Sequence, residues 1–211
     1  MYIMSPRRYE KKRHADRRAY NNASLRPEAL TSGFSLFRQL DESQAIDIRS
    51  AITRFAPKIP GMRVRGYGYE YPASMSVVSK AETKHIQGIK SIEESFLISA
   101  LFKHVPSLRE KTKAHVSSID CFGKRSASIS IVAASSGYAG AEFVTERGNI
   151  NTVLCEMNDW NPVILRPAGT PHVTFAILPG NTAEEYVTDL QHTISEIIPD
   201  ELILQPATFY K

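Results

Sequence analysis

Two stretches of the chain repeat one pattern: AHVSSIDCFG, from Ala114 to Gly123, and PHVTFAILPG, from Pro171 to Gly180. Each reads His-Val-(Ser/Thr). In an extended strand successive side chains take opposite faces, so His115 and Ser117 share one side and His172 and Thr174 share another, while Val173 and Phe175 point the other way. Imidazole titrates near neutral pH. Two of them can flank a phosphorus, one taking a proton from the attacking water and the other protonating the leaving ribose oxygen. The hydroxyls of Ser117 and Thr174 can then hold the non-bridging oxygens and align the group for in-line attack. The other four histidines, His14, His85, His104 and His192, lie in the tail or in helical or loop stretches.

Other chemistries find less support. No carboxylate cluster and no His/Cys ligand spacing suggests a metal site, and no cofactor motif is present. On a straight strand Asp120 faces away from His115, which argues against a Ser-His-Asp relay. Cys121 and Cys155 are far apart, with no CxxC, so neither a disulfide framework nor a zinc ribbon is implied.

The elements that must position these residues read as follows. Phe34–Phe37 starts a strand. Asp41–Ala56 is helical in pattern, with Ile48, Ile52 and Phe55 recurring at helical spacing and Asp41 with Gln44 approximating a capping box. Arg63, Arg65, Tyr67, Tyr69 and Tyr71 alternate along an extended segment, as a face that binds RNA or packs on neighbouring strands. Ser91–Lys103 reads as a helix capped by Ser91 and Glu94, with Ile92, Phe96, Leu97, Ala100 and Leu101 on one side. The two strands around Gly123-Lys124-Arg125 form a hairpin, and Gly137, Gly140 and Gly148 mark a looser region before INTVLCEM. Thr182 with Glu185 caps a helix carrying Tyr186, Leu190, Ile194 and Ile197, and ELILQPATFY is a last strand. Helices alternating with strands that are adjacent in sequence predict an α+β fold with mainly antiparallel sheets.

The 211 residues, 42% of them hydrophobic, suffice for one core. Charge is unevenly placed: the first 26 residues hold eight of the 26 Lys and Arg but only two of the 22 Asp and Glu. Residues 1–30 are therefore expected to be a basic arm, either contacting nucleic-acid phosphates or simply solvated, ahead of a single domain over 31–211. With no apolar leader and no run long enough to cross a membrane, a soluble, cytoplasmic protein is expected.

The two motifs resemble those of the 2H phosphoesterases, also called LigT-like proteins, which carry two His-x-(Thr/Ser) motifs on strands. HVSSIDCFG is similar to the family's first motif, including the trailing Phe122-Gly123, and RPAGTPHVTFAIL is similar to its second. The likeness extends over Lys113–Lys211. It implies a bilobal fold of two pseudo-two-fold-related antiparallel sheets with flanking helices, and a metal-independent phosphodiesterase using His115, His172, Ser117 and Thr174. Members of the family act on 2′,3′-cyclic phosphate RNA ends, 2′-5′ linkages and cyclic oligonucleotides, the last including phage enzymes that disarm CBASS immunity. Tyr138 and Trp160, between the motifs, are candidates to stack on a base, and Lys124 and Arg166 to neighbour the phosphate. The alternative is an RNA-binding module on the same fold, without turnover.

Overall fold

The computed structural model describes residues 33–66, 72–84, 86, 92–123, 128–135, 138–158, 165 and 170–210. The basic arm, Tyr67, Tyr69, Tyr71, Ser91, Lys124, Arg125, Trp160 and Arg166 lie outside the described residues, as does the side chain of Tyr138.

The architecture is α+β, built on one eight-stranded sheet. Its strands are β1 (Ser35–Leu40), β2 (Arg63–Val64), β3 (Ser74–Val78), β4 (Thr112–His115), β5 (Ser118–Phe122), β6 (Ser128–Ala134), β7 (His172–Pro179) and β8 (Glu201–Tyr210). They are ordered β4-β8-β1-β3-β7-β6-β5, with β2 also on β7, and the strand pairs are antiparallel. The two sheets expected from sequence are thus one hydrogen-bonded sheet, because β7 joins β3 on one side to β6 on the other. The two ends of the strand order, β4 and β5, are consecutive pieces of one segment, which curls the sheet round on itself.

Helices cover one face. α1 (Glu42–Thr53) and α5 (Glu184–Ile197) bury Ile48, Ile52, Leu190 and Ile194 against Met75, Ile131, Val173, Phe175 and Leu204. α3 (Glu94–His104) and α4 (Tyr138–Met157) bury Leu97, Leu101, Ile150 and Leu154 against Leu36, Val77 and Phe209. The short helix α2 (Lys80–Thr83) abuts Gly33, whose φ of +79° and 2.7 Å approach of a notional Cβ to the Lys84 backbone nitrogen admit only glycine. No helix among the described residues is long and apolar enough to cross a membrane.

Several local expectations need correction. Asp41 does cap α1, accepting from the Ser43 backbone N–H at 3.2 Å, but Gln44 completes no box with it. The Gln44 amide instead bonds β8 twice, to Glu201 O and from Ile203 N–H. Thr182 likewise donates to Pro179 O, leaving Ala183 as the N-cap of α5. α3 starts at Glu94 with Glu93 at its N-cap position and no capping bond from that side chain, and its Phe96 is 63% exposed rather than core-facing. The glycine-marked region is helical from Tyr138 through Met157. Gly140 and Gly148 each cost a helix about 1 kcal/mol, whereas burying Ile150, Val153 and Leu154 returns roughly 1.5–3 kcal/mol apiece.

α4 is also tied down by two ion pairs, one buried and one partly buried. Arg38, 2% exposed on β1, directs all five guanidinium N–H groups to acceptors: both Glu146 carboxylate oxygens and the backbone oxygens of Ser107, Glu110 and Gln205. Arg147 bonds Glu82 at 2.7 Å and the Val77 carbonyl. Burial pushes the Glu82 carboxyl up, but the bonds from Arg147 and Ser79 outweigh it and hold its pKa below the ordinary 4.5. A depressed carboxylate stabilises the fold above its unfolded pKa and loses that contribution as pH falls through the folded one. Glu82→Gln is therefore expected to flatten the acid limb of stability below pH 4.5, as read from urea midpoints between about pH 3 and 6. An unchanged acid limb would contradict the assignment.

Candidate active site

The face of the sheet that is helix-free among the described residues carries the motif residues. On β7, Val173 and Phe175 are buried in the core, while His172 and Thr174 are half-buried on the opposite side, as alternation requires. A bulge preserves this: Ile131 pairs with Ala176 and Val132 with Thr174, so Phe175 is the extra residue and both it and Ala176 turn inward.

Directly opposed residues in antiparallel strands project to one face. Ser118, Ala134 and His172 therefore form one cross-strand row, and Asp120, Val132 and Thr174 the next. On the other flank Met75 pairs with Val173 in the core, so Ser76 and Ser74 flank His172 and Thr174. The face is concave here: Phe122 and His172 lie two strands and two rows apart, yet their ring centroids are 4.9 Å apart in an edge-to-face contact.

His172 is held at two points. Its Nδ1 is 2.9 Å from Thr170 O, a backbone acceptor that requires the proton on Nδ1 and turns Nε2 outward as the exchangeable nitrogen. Phe122 braces the ring edge-on.

The first motif is built differently. His115 ends β4, paired with Glu201, and is exposed. Ser117 lies between strands, its N–H and hydroxyl both donating to Ala134 O, at 2.9 and 3.0 Å. The segment does not stay straight. Ala114, Val116, Ile119 and Cys121 all pack on the same core, so the alternation slips by one residue between Val116 and Ile119. Asp120 consequently shares the helix-free face with His115, contrary to the straight-strand expectation, but its carboxylate accepts a bond from Ser118 rather than an imidazole.

Ser135 links the two motifs. Its hydroxyl donates to His115 O at 2.7 Å, and its N–H donates to Pro171 O, next to His172, at 2.8 Å. Around His115 the charges are paired: Lys113 bonds Glu201 at 2.7 Å and, with a smaller pull from His115, lowers the Glu201 pKa. Among the described residues no group of three or more His, Cys, Asp or Glu could hold a metal ion. Sequence reasoning missed the roles of Phe122 and Ser135. Phe122 carried a signal, as the residue trailing the first motif; Ser135, one more serine after a strand, carried none.

No family model and no curated protein matches the sequence. Among solved structures the chain is similar to Usb1 of Kluyveromyces marxianus, at 11% identity with a TM-score of 0.47, over 85% of this chain and 93% of that chain. It is similar, at the same identity and coverage and a TM-score of 0.48, to that protein with uridine monophosphate. At such identity the chemistry has to be read from the residues themselves.

Proposed function

We propose that the protein is a metal-independent phosphodiesterase of the 2H type, hydrolysing a nucleotide phosphodiester such as a 2′,3′-cyclic phosphate RNA end or a cyclic oligonucleotide. The observation that carries this reading is Ser135, which ties the backbone of His115 to that of Pro171 beside His172 and so unites two His-Val-(Ser/Thr) motifs on one helix-free face. In this reading the two motif-bearing halves of the sheet are the pseudo-two-fold lobes, and residues 31–211 work as one domain behind the basic arm.

One imidazole accepts a proton from water as its oxygen bonds to phosphorus, and the other supplies a proton to the ribose oxygen as its bond to phosphorus breaks. With Nδ1–H bonded to Thr170 O, His172 presents Nε2 for either part. Thr174 lies in the next row on the same face, positioned to donate to a non-bridging oxygen. Ser117 donates to Ala134 O at present, so holding phosphate requires it to exchange that bond. Tyr138, Trp160, Lys124 and Arg166 remain candidate contacts to base and phosphate. A role against CBASS-type immunity belongs to the cyclic-oligonucleotide branch of the proposal, and the RNA-binding module is its non-enzymatic competitor.

The difference between the hydroxyls makes a prediction. Thr174→Ala is expected to lower kcat about 10²–10³-fold, the usual loss for an oxyanion donor, and Ser117→Ala no more than about tenfold, since its bond to Ala134 O already offsets what it offers. Steady-state kinetics on the two variants check the order, and a larger loss in Ser117→Ala reverses the assignment. The function itself is tested by incubating the protein, in EDTA, with a 2′,3′-cyclic-phosphate oligoribonucleotide, a 2′-5′ adenylate and several cyclic oligonucleotides. Cleavage of any of these in chelator supports the reading. Cleavage that chelator abolishes makes the enzyme metal-dependent, and binding without cleavage favours the RNA-binding module.

A further inference from the structure

The helix-free face carries a second feature two strands from His172. Phe37 on β1 pairs with Ser76, which flanks His172, and on its other side with Thr208 of β8. Ser35, next on that face of β1, pairs with Tyr210. The Phe37 and Tyr210 rings lie 6.4 Å apart at an interplanar angle of 59°. Phe37 is half-buried, and Tyr210, at 55% exposed, is an aromatic ring left largely open to solvent on this face. Register places Ser35, Ser76 and Thr208 beside them on this face, with Gln39 beyond, and the Ser35 hydroxyl donates to Tyr210 O at 3.3 Å.

We propose that Phe37 and Tyr210 form a stacking platform for a nucleobase of the substrate. The proposal rests on the phosphodiesterase reading and deepens it, since it names a base subsite that the motifs do not contain. Two strand spacings separate Phe37 from His172, about 10 Å, roughly what a nucleotide covers from its phosphate to the far edge of its base. An aromatic face takes any base by stacking, with little sequence preference. The hydroxyl rim suits the ribose and the base edges, and the surface is continuous with the phosphate end of the site through Ser76. Phe34 stacks on Phe209 at 5.0 Å within the core, whereas the Tyr210 side chain is exposed.

The test measures equilibrium binding, by calorimetry, of uridine 2′,3′-cyclic phosphate and of base-free ribose 5-phosphate to the full chain and to Tyr210→Ala, Tyr210→Phe and Phe37→Leu. Wild-type protein is expected to prefer the base-bearing ligand. Tyr210→Ala should weaken that ligand roughly 5- to 100-fold, the range for a lost stacking partner, while leaving ribose 5-phosphate unchanged, and Tyr210→Phe should restore it. Thermal unfolding of each variant separates lost stacking from lost fold. Unaltered binding of the cyclic nucleotide to Tyr210→Ala overturns the platform alone. Wild-type protein that binds neither ligand overturns the platform, whereas the phosphodiesterase reading stands or falls separately, on cleavage in chelator.

Discussion

On the proposed phosphodiesterase mechanism, His172→Ala is expected to lower kcat by about 10²–10⁴-fold, the contribution of one positioned acid or base, with little change in KM. On the proposed mechanism the side chain would meet the reacting atoms through Nε2 alone, because Nδ1 is held by Thr170 O and the ring is braced by Phe122. Asparagine can reproduce the bond to Thr170 O but cannot exchange a proton, so His172→Asn should be as inactive as His172→Ala. His115→Ala gives a loss of the same order if both imidazoles act. The pH dependence of kcat/KM separates the roles: wild type follows a bell, and each single variant keeps one limb. Full activity in His115→Ala would remove the first motif from the mechanism and leave His172 to work with another group.

Arg38→Ala is the most damaging structural substitution expected. It leaves the Glu146 carboxylate, which also accepts from Ser107, buried without its cation, and it strips donors from the Ser107, Glu110 and Gln205 carbonyls. Breaking such a pair from one side costs roughly 3–5 kcal/mol, since the remaining charge stays desolvated. Removing both charges, as in Arg38→Met with Glu146→Leu, should cost clearly less than the sum of the single changes, because no charge is then left unpaired. Urea unfolding of the two single variants and the double variant provides the measurement. Additive losses would show that the pair acts as two independent packing groups.

Alternation makes part of the site legible in the sequence. In PHVTFAIL it separates Val173 and Phe175 from His172 and Thr174, and those four residues take the sides it demands. Capping signals are less informative, because side-chain hydrogen bonds are set by what tertiary structure brings near. Gln44 finds a β8 backbone on which to pair, and Thr182 finds the Pro179 carbonyl, so neither forms its local box. The long helix Tyr138–Met157 is hidden for a related reason: its glycines argue against a helix locally, and the opposing contribution comes from distant residues such as Arg38 and Leu36. At the site, spacing alone does not show that the strand slips between Val116 and Ile119, nor that the Ser117 hydroxyl is turned to the backbone. Each depends on β6, whose register no local pattern encodes.

The pairing of β8 has a consequence for how the protein is made. β4 is hydrogen-bonded to β8, and β1 relies on β8 for one of its two sides, yet β8 leaves the ribosome after each of the other seven strands. A nascent chain therefore carries His115 on a strand without its partner until Glu201–Tyr210 has emerged, and the curl that joins β4 to the rest of the sheet is completed only then. Pairings this distant in sequence form slowly and leave strand edges open in the interval. Those open edges are where a partly made chain is most prone to pair wrongly, and the face that carries the two motifs is completed in one late step.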